Sequence, residues 1–238
     1  MLLSLENVCK SYGVLRVADG VTLDVPEGQA LGVIGPNGAG KSTLFNLITG
    51  ATAVDAGAVR FDGRDVTGRS ARARCLAGMG RSFQIPQPFG GLTVFENLVV
   101  AASFGRGAAE RDVTEDCAAI LTRTGLMRRA NAVAGGLPLL DRKRLELARA
   151  LATGPRLLLL DEIAGGLTDA ECGSLVETIR AIHAAGTTIV WIEHVLHALT
   201  AVVERLVVLD FGRVVADGHP SDVMAMREVR EIYLGIDA

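Results

Sequence analysis

Residues 35–43 constrain the fold of this chain more than any other stretch. They read glycine, four variable residues, glycine, lysine, serine and threonine: Gly35, Pro36, Asn37, Gly38, Ala39, Gly40, Lys41, Ser42 and Thr43. The short apolar run before them, residues 30–34, predicts a buried strand. The segment after them predicts a helix that ends at Gly50, a typical C-cap residue. A strand, a glycine-rich loop and a helix in this order are the setting of a phosphate-binding loop.

The residue types of the loop fit that chemistry. Glycines let successive backbone N–H groups turn toward phosphate oxygens, because a Cβ would block the approach. The following helix adds the positive end of its dipole. We expect Lys41 to reach the β- and γ-phosphates, Ser42 to place its hydroxyl on Mg²⁺, and Thr43 to support the α-phosphate. A glycine-rich turn without a ligand is the alternative, and the order of strand, loop and helix argues against it.

Composition narrows the class of protein. A chain of 238 residues forms one large domain or two small ones. Its 49% of apolar residues indicates a sizeable contact surface, for instance for an integral membrane partner. No apolar run approaches the roughly 18 residues that a membrane span needs, and we expect no secretory signal because no basic and apolar leader opens the chain. The net charge of −3 gives no reason to expect nucleic acid as a ligand.

The cysteines and histidines show no metal-binding spacing. Four cysteines are scattered along the chain and are typical of reduced thiols in a cytosolic protein. His194 and His197 are three residues apart, but no third ligand is evident near them in the sequence.

The N-terminal third predicts short strands joined by turns. Tyr12 is placed in a loop, where an exposed aromatic ring can stack on a nucleotide base; an ordinary turn tyrosine explains it equally well. Asp62-Gly63 predicts a turn between two short strands. The four arginines between residues 69 and 81 predict a solvated basic face, and residues 79–83 predict a strand that ends at Gln84.

The middle of the chain predicts a helical block. Two prolines and two glycines in residues 85–91 indicate a loop, and Thr93 with Glu96 predicts a capping box that opens a helix to about Ala102. Further helices are expected over about residues 108–123 and 138–153, with Pro138 in the first turn of the latter. Residues 85–155 are therefore predicted to form a helical subdomain between two parts of an α/β core, residues 1–84 and 156–238.

Two later strands are predicted to deliver polar residues to one edge. The predicted strand over residues 156–160, an arginine and four leucines, ends at Asp161 and Glu162, and the one over residues 187–192 ends at Glu193 and His194. Parallel strands present their carboxyl ends at the edge where α/β proteins bind ligands. Asp161 suits Mg²⁺, and Glu162 suits polarising an attacking water. We favour a phosphate-sensing role for His194 over a purely structural one.

Together these residues resemble the ATP-binding subunit of ABC transporters over essentially the whole chain. Tyr12 matches the aromatic adenine platform of that family, residues 35–43 its Walker A loop, and Gln84 its Q-loop glutamine. Residues 157–162 match its Walker B strand and catalytic glutamate, and His194 matches its switch histidine. Further resemblance to the LivG-type ATPase of branched-chain amino-acid importers rests on four short stretches: residues 80–84, 92–98, 144–151 and 233–235.

The sequence departs from the family pattern at several positions. The signature leucine-serine-glycine-glycine-glutamine falls on Leu137, Pro138, Leu139, Leu140 and Asp141, so only the leucine is kept. Ile163, Thr168 and Val195 also replace the usual proline, aspartate and aspartate. The altered signature affects one of the two ATP sites that such proteins build.

The resemblance implies an α/β fold: a P-loop NTPase core of ABC-ATPase type, with an N-terminal antiparallel β part and an inserted α-helical subdomain. It implies ATP and Mg²⁺ as cofactors, with Mg²⁺ held by Ser42, Gln84 and Asp161, and catalysis by Glu162, His194 and Gln84. ATP then closes a head-to-tail dimer, and hydrolysis reopens it. Gln84 couples the nucleotide to the loop at residues 85–91, which faces the membrane partner.

The implied partners are two integral membrane permease subunits and, because of the altered signature, a second and different ATPase subunit. A periplasmic or extracellular substrate-binding protein acts indirectly, and the implied location is the cytoplasmic face of the membrane. The alternatives are a lipid or lipopolysaccharide exporter ATPase, a soluble ABC-type switch, and a P-loop kinase or GTPase. No asparagine-lysine-x-aspartate motif supports a GTPase, and no acceptor site for a kinase is evident.

Overall fold

The chain forms both strands and helices in the computed structural model, which describes residues 1–234. The strands are β1 (Leu3–Tyr12), β2 (Leu15–Val25), β3 (Ala30–Ile34), β4 (Ala56–Phe61), β5 (Arg64–Asp65), β6 (Met79–Arg81), β7 (Leu157–Asp161), β8 (Thr188–Ile192), β9 (Arg205–Asp210) and β10 (Arg213–Gly218). The helices are α1 (Lys41–Thr49), α2 (Ala71–Leu76), α3 (Val94–Arg106), α4 (Glu110–Arg123), α5 (Leu139–Ala152), α6 (Asp169–Ala184), α7 (Leu196–Thr200), α8 (Pro220–Ala225) and α9 (Arg227–Leu234). Gly235 and the rest of the predicted range to residue 238 lie outside the described residues.

A six-stranded sheet forms the centre of the molecule, in the order β10-β9-β3-β8-β7-β6. Strands β6, β7, β8, β3 and β9 run parallel, and β10 is antiparallel at the edge. Every residue of β3, β7 and β8 is buried, as expected for apolar runs in a sheet that is covered on both faces. The carboxyl ends of β3, β7 and β8 therefore point to one edge, as predicted.

The alternation of side chains along the central strands divides the core into two clusters. Leu158 and Leu160 of β7 pack with the helices of one face, whereas Leu157 and Leu159 pack with α1 and the second sheet on the other face. Trp191 of β8 is fully buried on the helical side. The parallel sheet thus lies between the helical layer and the antiparallel sheet and packs against both.

The second sheet has the order β2-β1-β4-β5 and is antiparallel throughout. Its first two strands have 10 and 11 residues, so the prediction of short N-terminal strands was wrong. The prediction that Tyr12 lies in a loop was also wrong, because pairing continues to the Tyr12–Leu15 pair and makes Tyr12 the last residue of β1.

The helical block contains α3, α4 and α5, which pack on one another and on the central sheet. The predicted capping box is confirmed: the Thr93 hydroxyl and the Glu96 carboxylate cap α3 reciprocally. That helix runs four residues past the predicted end, to Arg106, and stops at Gly107 in a left-handed conformation. Pro138 is the N-cap of α5, not a residue of its first turn, because its backbone is extended, with ψ 164°.

The basic segment between residues 69 and 81 is not simply a solvated face. It contains α2, a helix capped by Ser70 that was not predicted. Arg74 of α2 is 1% exposed and donates to the backbone carbonyls of Leu47 and Ile48 at 2.7 Å each, at the C-terminal end of α1. The cation therefore stabilises the end of a helix that carries partial negative charge.

Helix length bears on membrane insertion. The longest helix of the described residues, α6, has 16 residues. Within residues 1–234, no helix combines the length and the apolar character needed to cross a bilayer.

Candidate functional site

The loop at residues 35–43 joins β3 to α1 and leaves the start of the helix open. Gly40 is the N-cap of α1, has φ 101°, and provides no side chain to cap the first N–H groups. A Cβ at Gly40 would lie 2.4 Å from the carbonyl oxygen of Val17, so both the backbone angle and the packing require glycine. An uncapped helix N-terminus behind a glycine loop is a ready site for an anion such as phosphate.

Lys41 lies against this loop. Its Nζ donates to the carbonyl oxygens of Gly35 at 2.7 Å and Pro36 at 3.0 Å, and the residue is only 6% exposed. Burial lowers the pKa of Lys41, and the nearby carboxylates of Glu162 and Asp161 oppose that change. The ammonium group is therefore placed between the phosphate-binding loop and the carboxylates at the end of β7.

An open cleft of about 480 Å³ lies in front of the loop. It is lined by Tyr12, Leu15, Val17, residues 37–43, Gln84 and Glu162. Its volume lies within the usual range for cofactor sites. Tyr12 is 51% exposed at this cleft, and the Nζ of Lys10 lies 5.6 Å from the centre of its ring. The structure thus brings the predicted aromatic platform, phosphate loop, glutamine and glutamate to one cavity.

Three predicted catalytic residues are in direct contact. The His194 Nε2 lies 2.8 Å from Oε1 of Glu162, and the Gln84 amide donates to Oε2 of the same carboxylate. Glu162 follows β7, and its backbone NH donates to the carbonyl of Ile192 at 2.9 Å, at the end of β8. The carboxylate is therefore held between His194, which follows β8, and Gln84, which follows β6, and these two strands flank β7 in the sheet.

Asp161, the last residue of β7, forms an ion pair that the sequence did not suggest. Its Oδ2 accepts from Nη2 of Arg81 at 2.8 Å, and the two side chains are 6% and 11% exposed. Nη1 of Arg81 also donates to Oδ1 of Asn46 at 2.6 Å, and its guanidinium carbon lies 5.5 Å and 5.0 Å from the ring centres of Phe45 and Phe83. Arg81 therefore links β6, β7 and α1 and is no part of a solvated face.

The residues expected to hold Mg²⁺ fit an ion that shares its ligands with a nucleotide. Ser42, Gln84 and Asp161 line one cavity of about 540 Å³ together with Arg81. Within residues 1–234, no group of three or more histidine, cysteine, aspartate or glutamate side chains can hold a metal ion. Mg²⁺ usually takes one or two carboxylates plus phosphate oxygens and water, so one hydroxyl, one amide and one carboxylate suit it once phosphates are bound.

Helix α5 holds the segment after β6 through charged side chains. Lys143 donates to the carbonyl of Gln84 at 2.8 Å, and Arg149 donates to the carbonyl of Gln87 at 2.9 Å. Between them, Glu146 accepts from the backbone of this segment, and burial raises its pKa against the effect of Arg149. These residues recur every three positions, so they lie along one side of the helix. That spacing was the available sequence signal, and it was missed.

The far end of the same segment is fixed by a buried amide. Asn97 of α3 is fully buried, accepts from the N–H of Phe89 at 2.8 Å, and donates to its carbonyl at 3.1 Å. Arg149 lies 5.2 Å from the ring centre of Phe89, which is itself 47% exposed. An asparagine within a predicted helix gave no indication of this role in the sequence.

The altered signature is placed at the start of α5. Pro138 is its N-cap and has no N–H, while Leu139 is 39% exposed and has a side chain where the family has glycine. Asp141 lies 3.5 Å from Arg129 and 4.0 Å from Arg144, so its carboxylate is engaged within the chain. The start of α5 therefore lacks the serine hydroxyl and the glycine backbone of the usual signature motif.

Known proteins of similar sequence are ATP-binding proteins of transport systems. The high-affinity branched-chain amino acid transport ATP-binding protein BraF of Pseudomonas aeruginosa is 34% identical, over 98% of both chains. The corresponding protein LivG of Escherichia coli is 33% identical over 98% of both chains. The lipopolysaccharide export system ATP-binding protein LptB of Haemophilus influenzae is 30% identical, over 98% of this chain and 97% of its own.

Solved structures and a family model agree with the sequence relatives. A nucleotide-free ATP-binding cassette from an ABC transporter superposes with a TM-score of 0.90 at 31% identity, over 100% of this chain and 99% of its own. The ADP conformation of such a cassette gives the same TM-score and identity. The family model described as ABC transporter matches residues 18–165. With the predicted fold thus confirmed, the chain belongs to the ABC transporter family, as a transport-coupled ATPase of its ATP-binding cassette type.

Proposed function

We propose that this chain is the ATP-binding and ATP-hydrolysing subunit of an importer for branched-chain or related amino acids. The observation that carries the ATPase role is the contact of Glu162 with His194 and Gln84 beside the phosphate-binding loop. The similarity to BraF and LivG over nearly full length supports the direction and the class of substrate.

Nucleotide binding is assigned to the 480 Å³ cleft. Tyr12 stacks on the adenine, and residues 35–43 surround the phosphates with backbone N–H groups. Lys41 exchanges its carbonyl partners for phosphate oxygens, a charge-assisted contact. Ser42, Gln84 and Asp161 hold Mg²⁺, which neutralises charge on the phosphates when it is bound.

Hydrolysis is assigned to Glu162, with His194 and Gln84 orienting its carboxylate. An ionised carboxylate at the cleft accepts a proton from the attacking water and makes its oxygen a better nucleophile. Because each oxygen of Glu162 already has a partner, the carboxylate is held in one orientation before water arrives. His194 also lies where it can sense the γ-phosphate that Glu162 faces.

Permease contact is assigned to the segment after Gln84. Phe83, Ile85 and Phe89 are 53%, 70% and 47% exposed although they are large apolar side chains. Such exposure on a segment whose backbone is fixed by α3 and α5 favours a docking surface for another protein. We therefore place the chain peripherally at the cytoplasmic face of the membrane, against two integral permease subunits, with a substrate-binding protein acting on the other side. Residues 85–155 serve as the helical subdomain that transmits the motion.

The altered signature supports a heterodimer with a second ATPase subunit. Each site of a head-to-tail dimer combines one chain's phosphate loop with the other chain's signature. This chain offers a complete phosphate loop but a signature in which Pro138 has no N–H to donate. A partner with a complete signature is needed to make one competent site.

Export of lipid or lipopolysaccharide is the second candidate, and the similarity to LptB favours it. An exporter built on a homodimer would carry the altered signature in both of its sites, which argues for import. A soluble ABC-type switch has no specific observation in its favour. Co-purification with two integral membrane proteins from detergent extracts would separate it from either transporter.

The test is reconstitution of this chain with two permease subunits and a second ATPase subunit from the same organism. Proteoliposomes are prepared with ATP in the lumen, on the same side as this chain, and with a substrate-binding protein outside. They should accumulate labelled leucine, isoleucine or valine. Uptake should cease in Lys41→Ala. ATP-dependent extraction of lipopolysaccharide, without amino-acid uptake, would favour the exporter instead.

A further inference from the structure

Glu162 has an unusual backbone conformation. Its φ is 46°, in the left-handed region that residues with a Cβ rarely adopt. A non-glycine residue keeps such a conformation only when its surroundings determine it, and such residues cluster at functional sites. The turn that carries the carboxylate must therefore be held by neighbouring groups.

Lys143 holds this turn from one side. Its Nζ donates to the carbonyl oxygen of Glu162 at 3.1 Å and to that of Gln84 at 2.8 Å, and the residue is 4% exposed. The N–H of Gly165 also donates to the Glu162 carbonyl, at 3.4 Å. A single buried ammonium group thus fixes the backbone of the predicted base and of the glutamine that contacts it.

Glu193 holds the turn from the other side. Its Oε2 accepts from the N–H of Ala164 at 2.9 Å, two residues after Glu162. Its Oε1 accepts from the N–H of His194 at 2.9 Å and of Val195 at 3.3 Å. The carboxylate is 1% exposed, so it fixes the backbones of both partners of the Glu162–His194 contact.

The charges of Lys143 and Glu193 complement each other. Burial lowers the pKa of Lys143. The nearby carboxylates oppose this change by favouring the charged ammonium group, and Glu193 has the largest effect among them. Lys143 belongs to α5, the helix that begins at the altered signature, whereas Glu193 follows β8. The two side chains therefore connect the helical layer and the central sheet at the turn that carries Glu162.

We propose that Lys143 and Glu193 are positioning residues that hold Glu162 and His194 in hydrolytic geometry. The inference rests on the proposed role of Glu162 as the base. Neither residue touches the nucleotide cleft, so their removal lowers the rate of hydrolysis and leaves nucleotide binding intact. Because Lys143 lies on α5, the helix that begins at the signature, it also makes the orientation of Glu162 depend on the position of that helix.

The first experiment separates kcat from KM for ATP in the assembled transporter. We expect Lys143→Met and Glu193→Gln to lower kcat on the order of 100-fold, since a displacement of about 1 Å costs that much, with KM changed less than about 3-fold. Lys143→Arg keeps a cation that can donate to both carbonyls and should recover most of kcat. Glu193→Gln retains one acceptor oxygen, so it should lose either the contact with Ala164 or the two contacts with His194 and Val195.

Arg74→Met is the matched control. Arg74 is another buried cation that donates to backbone carbonyls, but these carbonyls belong to α1 and to residues 67 and 69. It should lower the melting temperature without the selective loss of kcat. Should Lys143→Met fail to fold, Lys143→Gln takes its place, with ATP affinity as the check that the protein is native.

The second experiment is a double-mutant cycle with Glu162→Gln. If Lys143 acts through Glu162, adding Lys143→Met to Glu162→Gln should change the residual rate less than about 2-fold. An equal fold-loss in both backgrounds, or a normal kcat in Lys143→Met beside an inactive Glu162→Gln, would overturn this inference alone. Wild-type turnover in Glu162→Gln would instead overturn the assignment of the base, and this inference with it.

Discussion

Arg81 and Asp161 lie 80 residues apart in the chain, and their side chains meet at 2.8 Å. Arg81 is the last residue of β6, and its side chain lies between α1 and β7, where Asn46 and two aromatic rings contact it. No periodicity in the sequence reports a pair of this kind, because it depends on which strands become neighbours. The same holds for Lys143 and Glu193, whose partners are backbone atoms of distant turns.

We predict that Arg81→Met costs about 3 kcal/mol of unfolding free energy, because it leaves the buried Asp161 carboxylate without its cation. The double variant Arg81→Met/Asp161→Asn should lose less than the sum of the single variants. Urea denaturation measures both. The exposed pair Arg60–Glu6, with side chains 42% and 48% exposed, is the control and should contribute less than about 1 kcal/mol. Additive losses at Arg81 and Asp161 would contradict the account.

Tyr12 gives a second test at this scale. Tyr12→Ala should weaken binding of ATP by roughly 10-fold, since stacking of a base on an aromatic ring contributes about 1–3 kcal/mol. Binding of inorganic triphosphate should stay the same, because it has no base. Tyr12→Phe, which keeps the ring, is the control. Equal ATP affinity in Tyr12→Ala and the wild type would mean that Tyr12 is an ordinary residue of the hairpin between β1 and β2.

At the scale of elements, the segment between β6 and α3 is bound to its surroundings along its whole length. Helix α5 holds its first part through Lys143 and Arg149, and α3 holds its end through Asn97. Its apolar side chains nevertheless point outward. A segment with a fixed backbone and exposed side chains can pass a displacement from the nucleotide site to a partner.

We predict that Phe89→Ala uncouples ATP hydrolysis from transport. Its ring lies on the exposed side of the segment, so its loss should leave ATPase activity within about 2-fold while transport per ATP falls on the order of 10-fold. Parallel measurement of ATP hydrolysis and labelled substrate uptake in proteoliposomes checks this. Met127→Ala removes an apolar side chain of similar exposure, 49%, outside the segment and should retain coupling. Normal transport per ATP in Phe89→Ala would contradict the assignment of this segment as the surface that docks on the permease.

Elements with strong local signals were predicted well, and elements that depend on packing were not. The buried strand β3, the capping box of α3 and the strand β8 were all expected close to their observed positions. Helix α2 was missed because its arginines resembled a solvated run, whereas Arg74 is drawn inward by the end of α1. Tyr12 was misplaced because the pairing of two long strands decided the position of the turn.

For the candidate site, the sequence placed its parts in the right order but could not supply their contacts. The phosphate loop and the carboxylates after β7 follow from local motifs and the rule for parallel strands. The approach of Gln84 and His194 to the two oxygens of Glu162 depends on three strands and their common edge. Their roles in catalysis stay predictions until the variants are measured.

At the scale of the whole molecule, the chain has a complete phosphate-binding half of a nucleotide site but an altered signature half. The phosphate loop, Asp161, Glu162 and His194 are all in place at the sheet edge, while the start of α5 has Pro138, Leu139 and Leu140 in place of a serine and two glycines. We predict that, in a dimer, the site formed by this chain's phosphate loop hydrolyses ATP when the partner brings a complete signature. We predict that the reciprocal site binds ATP but hydrolyses it poorly; the alternative is that the dipole of α5 alone binds the phosphate well enough.

The transport rate of the reconstituted complex, with one phosphate-loop lysine changed at a time, tests this asymmetry most directly. The account predicts that Lys41→Ala in this chain stops transport, because the competent site then loses its contact to the β- and γ-phosphates. The corresponding change in the partner ATPase should leave a substantial fraction of the rate. Equal loss from the two changes, or full activity of this chain as a homodimer, would contradict the account.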